Sequence, residues 1–443
     1  MAGPVRGRGW GGHGGDATHQ IQAGAARPGR SLPAQPPRRD HNCAVATPKL
    51  TVRGGHPGLL DLPWDLPMAD WHDPHRLDLP KGISRHEVHF FGFEDGIYAV
   101  KELPLSLARH EYSVLRRLED LGAPSVRPVG LAERPWLDPH EEASAVLVTA
   151  YVQYAFSYRE LLSGWGFGER RNQMLDAFAG LLVEIHLLGC HWGDCSLSNV
   201  LYRYDAGVIQ MTMVDAETAR LYPSLSDGQR EDDVQLMVEN VAGGMADLAA
   251  EAGIDLDLAD LFLGEDIAAR YRALWREVTP ESIIGADEQY RITERINRLN
   301  ELGFEVDDLA LIPEAGGNRL RMRLTVVGRN FHSHRLRELT GLEATENQAR
   351  QILSDLRYFE AAQGLTSPDR KHLAPIRWRV EVFEPMISRL RSLEDRAALD
   401  PVQAYTDFLH HRYLLSAEAA RDVSNEEAFA RWVEAGQPGY PLG

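Results

Sequence analysis

The sequence HWGDCSLSN at residues 191–199 and the sequence VDAE at residues 214–217 form the most informative pattern in this chain. The residues between them read as two short strands joined by a tight turn. Because a hairpin returns the chain to the end where it began, we expect Asp215 to lie beside Asn199. One amide oxygen and one carboxylate oxygen are hard ligands of the kind that Mg²⁺ prefers. The pattern therefore predicts a magnesium site at the open end of a hairpin.

Two charged residues that precede this pattern extend the predicted site. Lys101 ends a predicted strand, and Glu111 lies early in the predicted helix of residues 106–122. The chain has four lysines among its 47 basic residues, so a lysine in a place where arginine would be the default suggests a specific role. We expect the ammonium of Lys101 to hold phosphate oxygens and Glu111 to orient it by pairing with it. Glu102 and Glu119 are rival partners.

This set of side chains suits phosphoryl transfer, in which a protein mainly positions groups and neutralises charge. Asp194 can accept the proton of an acceptor hydroxyl or orient that hydroxyl. Glu217 either adds a second carboxylate that faces the metal or only holds the local structure. The predicted catalytic residues are Asp194, Lys101 and Glu111, and the predicted metal ligands are Asn199, Asp215 and Glu217.

An apolar run at residues 145–152 predicts a buried strand, and the resemblance to kinases described next implies an adenine pocket near residues 148–152. The loop expected to cover the phosphates has a single glycine in place of a G-x-G-x-x-G pattern, so phosphate binding would depend more on lysine and metal. The predicted nucleotide-binding residues are Lys101, Gly82, Ser84, Val148, Ala150 and Val152. The predicted cofactors are ATP and Mg²⁺.

The order Y-A-V-K, W-G-D-C-x-x-x-N and V-D-A-E resembles the signature set of protein kinases. Residues 57–436 resemble a protein family found in high-GC Gram-positive bacteria. Its members carry a domain of unknown function and are related to lipopolysaccharide kinases of the Kdo/WaaP type. The stretches that carry this resemblance are LPWDLP (62–67), LPKGISRH (79–86), YAVKE (98–102), HEYSVLRRLE (110–119), HWGDCSLSNVLYR (191–203), VDAETA (214–219), LTGLEATENQARQIL (339–353) and HHRYLLSAEAARDV (410–423).

The resemblance implies an α+β, bilobal protein-kinase-like fold with a small β-rich N-lobe, a helical C-lobe and a mixed α/β C-terminal region. It also implies a kinase that transfers phosphoryl groups from ATP to a hydroxyl on a small molecule, sugar, lipid or protein. The expected regions are a disordered Gly/Pro/Arg-rich tail (1–56), an N-lobe (57–148), a C-lobe core (149–280) and a family-specific C-terminal region (281–443).

Two departures from the family pattern support an alternative function. Trp192 stands two positions before Asp194, where relatives often have histidine, and the glycine-rich loop is reduced to Gly82. These changes favour, as the alternative, a pseudokinase or regulatory module that binds nucleotide without turning it over. Arginines at alternate positions of the predicted strand 319–327 are a weaker basis for nucleic-acid binding.

The composition limits the remaining classes of function. The chain has 443 residues and a formal charge of −18, which disfavours nucleic acid and anionic membranes as partners of the whole protein. Three cysteines without a C-x-x-C pair favour a reducing, cytoplasmic location. The sequence contains no run of about 18 apolar residues, so no membrane-spanning helix is predicted. The expected partners are therefore a nucleotide and a hydroxyl acceptor.

Overall fold

The computed structural model describes residues 47–80, 85–162, 168–253, 255, 258–279, 281–285, 288, 290–313, 319–363, 368–393 and 400–440. The architecture is α+β, with a β-sheet in the N-terminal region and mainly helices after it. The predicted fold class is confirmed.

The N-terminal region is built on an antiparallel sheet that has six strands in the described part of the chain. Its strands are β1 (Lys49–Val52), β2 (Arg76–Leu77), β3 (Val88–Phe93), β4 (Gly96–Leu103), β5 (Pro128–Glu133) and β6 (Ala145–Ala150), and helix α1 (Leu105–Asp120) joins β4 to β5. The strand order is β1-β5-β6-β4-β3-β2. Strand β4 therefore lies near the middle of the sheet, where it holds Lys101 on a rigid support.

The first strand differs from the sequence prediction, because β1 lies inside the segment 1–56 that was expected to be a disordered tail. It pairs with β5 from Lys49 to Val52, and Leu50 and Val52 pack against the core beneath the sheet. Four residues that follow a Gly- and Pro-rich stretch are too few to show a periodic pattern. Only the partner strand supplies the backbone hydrogen bonds that order them.

The middle region packs around a long buried helix. Its elements are α2 (Tyr158–Leu162), α3 (Gly168–Leu187), β7 (Cys190–His191), β8 (Val200–Asp205), β9 (Val208–Met213), β10 (Arg220–Leu221), α4 (Asp227–Ala252), α5 (Leu258–Leu261) and α6 (Leu263–Val278). Phe178, Leu182 and Ile185 of α3 have no exposed surface. Burying apolar side chains contributes roughly 1.5–3 kcal/mol each. The ring of Phe178 stacks on that of Trp192, so α3 supports the loop at residues 191–199.

The C-terminal region adds a small sheet and a second group of helices. Its elements are β11 (Ser282–Gly285), α7 (Tyr290–Glu301), β12 (Glu305–Pro313), β13 (Arg319–Gly328), α8 (Phe331–Thr340), α9 (Glu346–Ala362), α10 (Pro368–Trp378), α11 (Glu384–Arg391), α12 (Pro401–Ala419) and α13 (Asn425–Glu434). Trp378, Phe408 and Trp432 form the centre of a separate apolar core among these helices. The mixed α/β C-terminal region expected from the sequence is present.

The arginines of β13 have local acidic partners. Glu281 accepts hydrogen bonds from Arg321 at 3.3 Å and from Arg323 at 2.7 Å. This pairing reduces the positive charge that the strand could offer to a phosphate backbone, so it disfavours the nucleic-acid interpretation. In the described ranges, no helix combines the length and the apolar character needed to cross a membrane.

Candidate active site

A β-hairpin brings the two halves of the sequence pattern together. Strands β8 and β9 pair in register from Val200 opposite Met213 to Asp205 opposite Val208. The turn between them has positive φ at both central residues, 48° at Ala206 and 90° at Gly207, as a tight hairpin turn requires. At the open end, the Val214 amide donates to the Asn199 carbonyl at 3.0 Å. The chain therefore returns beside Asn199 just before it reaches Asp215, as the spacing predicts.

Lys101 connects the N-terminal sheet to this hairpin. Its Nζ lies 2.9 Å from Oε2 of Glu111 and 3.3 Å from Oδ2 of Asp215. The other oxygen of Glu111 accepts the Ala216 amide at 3.4 Å. The Glu111 side chain is 1 % exposed and that of Lys101 is 13 % exposed. One buried ammonium therefore links helix α1, strand β4 and the segment that follows the hairpin.

The two rival carboxylates have other partners. Glu102 pairs with the fully buried Arg134, and Glu119 pairs with Arg53 at 2.6 Å. Alternation along β4 explains the first case, because neighbouring residues of a strand point to opposite faces of the sheet. Lys101 is thus left to pair with Glu111.

Burial and charge together set the protonation of this pair. Burial raises the pKa of Glu111 to about 7, although the attraction of Lys101 opposes that rise. Burial alone would lower the pKa of Lys101, but the carboxylates of Glu111 and Asp215 raise it above its usual value. Lys101 therefore remains protonated at neutral pH and presents a positive charge to its surroundings.

Asp194 is held by two asparagines rather than by a cation. The Asn199 amide donates to Oδ2 of Asp194 at 3.0 Å and to its carbonyl at 3.1 Å. The Asn240 amide donates to Oδ1 at 3.2 Å and to the carbonyl of Cys195 at 3.2 Å. These neutral donors fix the direction of the carboxylate without neutralising it, which suits a group that accepts a proton.

Asp233 of α4 holds the loop that carries Asp194. It has no exposed surface, and it accepts the amides of Trp192 at 2.6 Å and Gly193 at 2.7 Å as well as Nε2 of His186 at 3.1 Å. Burial alone would raise the pKa of Asp233, but these hydrogen bonds lower it below its usual value. An ionised carboxylate therefore anchors the loop from the helix behind it.

One cavity of about 690 Å³ contains these side chains. Its lining includes Lys101, Glu111, Asp194, Asn199 and Asp215. Five of the residues singled out from the sequence are thus brought together in a space of the size typical of small-molecule sites.

The apolar end of the cavity agrees with the sequence prediction only in part. Ala150 and Val152 line it, together with Leu147 and Thr149 of the same strand region. The prediction for Val148 is wrong, because its side chain is 1 % exposed and packs in the core on the other face of β6. Side chains alternate along a strand, so the residues on either side of Val148 face the cavity.

Glu217, predicted as a metal ligand, is not among the residues that line the cavity. Its carboxylate binds Nε2 of His86 at 2.8 Å and the Arg85 guanidinium at 3.2 Å. This pairing supports the reading in which Glu217 holds local structure. Gly82 and Ser84, predicted to bind phosphate, lie outside the described residues.

The donor set fits a magnesium ion that is shared with phosphates. Among the described residues, no group of three or more His, Cys, Asp or Glu side chains is placed to hold a metal ion by itself. Mg²⁺ needs no such group, because it commonly takes one or two carboxylates and completes its shell with phosphate and water oxygens. Asp215 and Asn199 supply one carboxylate and one amide to the same cavity.

We expect Asp233→Ala to lower the free energy of unfolding by about 3 kcal/mol, because it leaves two buried amides and a buried imidazole without their acceptor. Urea denaturation followed by circular dichroism measures this. The matched control is Asp232→Ala, since Asp232 is exposed and binds the same loop at its edge through His191. A similar loss in both variants would contradict the anchoring role.

Comparisons with known proteins match two parts of the chain. Residues 95–243 match the lipopolysaccharide kinase (Kdo/WaaP) family, and residues 273–436 match DUF4032, a domain of unknown function. No curated protein matches the chain.

Two solved structures show distant similarity. WaaP in complex with acyl carrier protein has 17% identity and a TM-score of 0.35, over 57% of this chain and 98% of its own. The Rio2 kinase-ADP/Mg²⁺-phosphoaspartate complex from Chaetomium thermophilum has 14% identity and a TM-score of 0.29, over 45% of this chain and 70% of its own. By the family models, residues 95–243 of this chain are similar to the lipopolysaccharide kinase (Kdo/WaaP) family, and residues 273–436 are similar to DUF4032.

Proposed function

We propose that this protein is an ATP- and Mg²⁺-dependent phosphotransferase that acts on a hydroxyl acceptor. The observation that carries the proposal is the placement of Lys101 between Glu111 and Asp215, in one cavity with Asp194 and Asn199. A cation, a paired helix carboxylate, two oxygen ligands and a positioned carboxylate are the set that phosphoryl transfer uses. The match of residues 95–243 to a kinase family supports the same reaction class.

Each side chain has a distinct part in this proposal. Asn199 and Asp215 would hold Mg²⁺, which supplies neutralisation of phosphate charge when bound. Lys101 would bind phosphate oxygens, and Glu111 keeps the ammonium directed at the cavity. Asp194 would accept the proton of the acceptor hydroxyl or orient that hydroxyl.

Part of the cavity lining is polar. It includes the hydroxyls of Ser196 and Ser198 and the side chains of Glu239 and Asp247. We place an alcohol group of a small molecule, sugar, lipid or protein there. A cytoplasmic location would supply ATP and agrees with Cys190 and Cys195 being free thiols.

ADP formation tests the proposed function. The purified protein with MgATP and a panel of sugar, lipid and peptide alcohols should form ADP, and EDTA should abolish the signal. Transfer to an acceptor would appear as a product heavier by one phosphate in mass spectrometry. Thermal stabilisation by ATP without any ADP formation would contradict the proposal and favour the alternative, a pseudokinase or regulatory nucleotide-binding module. Trp192 motivates that alternative, because it stands at a position where relatives often have histidine. Its side chain is buried, and its Nε1 donates to the Asp215 carbonyl at 3.0 Å.

A further inference from the structure

The tip of the metal-site hairpin is bound by the C-terminal region. Asp205, the last residue of β8, is 2 % exposed. Its two oxygens accept the Thr345 hydroxyl at 2.5 Å, the Gln348 amide at 2.7 Å, and the backbone and side-chain nitrogens of Asn347 at 3.1 and 3.0 Å. These donors form the N-terminal turn of α9, where backbone amides and the helix dipole favour an anion.

Residues at the start of α12 make further contacts with the same tip. Arg203 pairs with Asp400 at 2.8 Å, and the Ala206 amide donates to Oε1 of Gln403 at 3.0 Å. Gln403 also accepts a hydrogen bond from Gln348 at 3.1 Å, so the contacts from α9 and α12 are connected.

The turn itself is closed over by the end of the chain. The ring of Tyr440 lies against Gly207 so closely that an added Cβ there would be 2.6 Å from Cδ1 of the ring. Residues of α9, the start of α12 and the ring of Tyr440 thus surround the turn of the hairpin.

One face of the hairpin packs in the core of the middle region through Tyr202 and Met211, and the C-terminal region holds its tip. An isolated pair of strands is marginally stable at best, and a register slip of one residue reverses which side chains face the core. Here the ladder runs without interruption from Asp205 to Val200, next to Asn199. Anchoring the tip therefore restricts the positions of Asn199 and Asp215 at the other end.

We propose that the C-terminal region positions the two metal ligands through the hairpin, with Asp205 as the positioning residue. The proposal rests on the proposed function for the identity of the ligands, but the ordering of the hairpin can be measured without any activity. It gives the residues matched by DUF4032 a part in building the kinase-like site. Without these contacts, the kinase-like region would still contain the two ligand side chains, but their positions would be less restricted.

The test compares Asp205→Asn with Asp355→Asn in the full chain. Asp355 is a matched control, because it is a buried carboxylate whose donors Trp378, Tyr405 and Arg412 belong to the C-terminal helices. Hydrogen exchange over residues 200–203 and 211–213 reports order near the ligands. The Mg²⁺ concentration for half-maximal ADP formation reports their alignment. Thr345→Val is the milder variant, since it removes one of the four donors.

We expect Asp205→Asn to speed exchange at the ligand end about tenfold and to raise the Mg²⁺ requirement about tenfold, because a buried charge-assisted network is lost. Thr345→Val should change both in the same direction by less. Asp355→Asn should lower the melting temperature without either effect. Faster exchange confined to residues 204–209, or equal changes in both Asp→Asn variants, would overturn the inference. If the wild type forms no ADP but Asp205→Asn still loosens the ligand end, the proposed function fails and the positioning role stands.

Discussion

Asp215→Asn should reduce Mg²⁺-dependent ADP formation by about 10³-fold. The amide has nearly the shape of the carboxylate, so the local fold should persist. It lacks the negative charge that would bind a hard divalent ion and that pairs with Lys101 at 3.3 Å. Steady-state ADP release as a function of Mg²⁺ concentration measures the effect, and raising Mg²⁺ should restore only part of the lost rate.

Glu217→Gln is the control for this variant. Glu217 lies two residues further on, and its carboxylate binds His86 and Arg85 and does not itself line the cavity. We expect its turnover to stay within about threefold of the wild type, since the glutamine amide keeps the shape of the carboxylate and can still hydrogen-bond to His86 and Arg85. Equal losses in the two variants would mean that the carboxylates of Asp215 and Glu217 both hold the metal.

The relation between Asn199 and Asp215 could be predicted from the sequence because local rules determine it. A short strand, a turn with glycine and a second short strand can only return the chain to its starting end. The Lys101–Glu111 pair was predictable for a similar reason, since a strand followed by a helix limits which acidic residues can reach the lysine. Both relations depend on neighbours within one or two elements.

Other parts of the site depend on contacts that leave no periodic signal. Asp233 and Asn240 lie on α4 about 40 residues after the loop that they hold. Neither stands in a motif, and the helix contains other acidic and amide residues of the same kinds. Only the packing of α4 against the loop distinguishes them, so the sequence analysis missed both.

The errors at the strands have a different physical origin. A continuous apolar run such as residues 145–152 does not show which face of the strand points to the cavity, so Val148 was assigned to the wrong side. Alternating strands show their faces in the sequence, whereas strands buried on both sides do not. The hydrogen bonds between α9 and Asp205 likewise join residues that are 140 or more positions apart in the sequence. A periodic sequence pattern carries no information over such a separation.

Asp194→Asn should lower the maximal rate of ADP formation by about 10²–10⁴-fold while leaving the affinity for MgATP nearly unchanged. The reason is that an amide can still accept one hydrogen bond from Asn199 or Asn240, but it cannot take a proton from an acceptor alcohol. Initial rates and nucleotide titration by calorimetry separate the two quantities.

Asn240→Ala is the comparison for this variant, because it removes one donor to Asp194 and keeps the carboxylate. A positioned carboxylate that loses one of its two neutral donors should still work, so we expect a loss of about tenfold. If Asp194→Asn retained wild-type turnover, Asp194 would not participate in proton transfer. If the wild type and Asp194→Asn bound MgATP equally and neither formed ADP, the same cavity would serve a regulatory nucleotide site. The comparison of the wild type with Asp194→Asn therefore distinguishes an enzyme from a binding module, because only an enzyme loses turnover when its proton acceptor is removed.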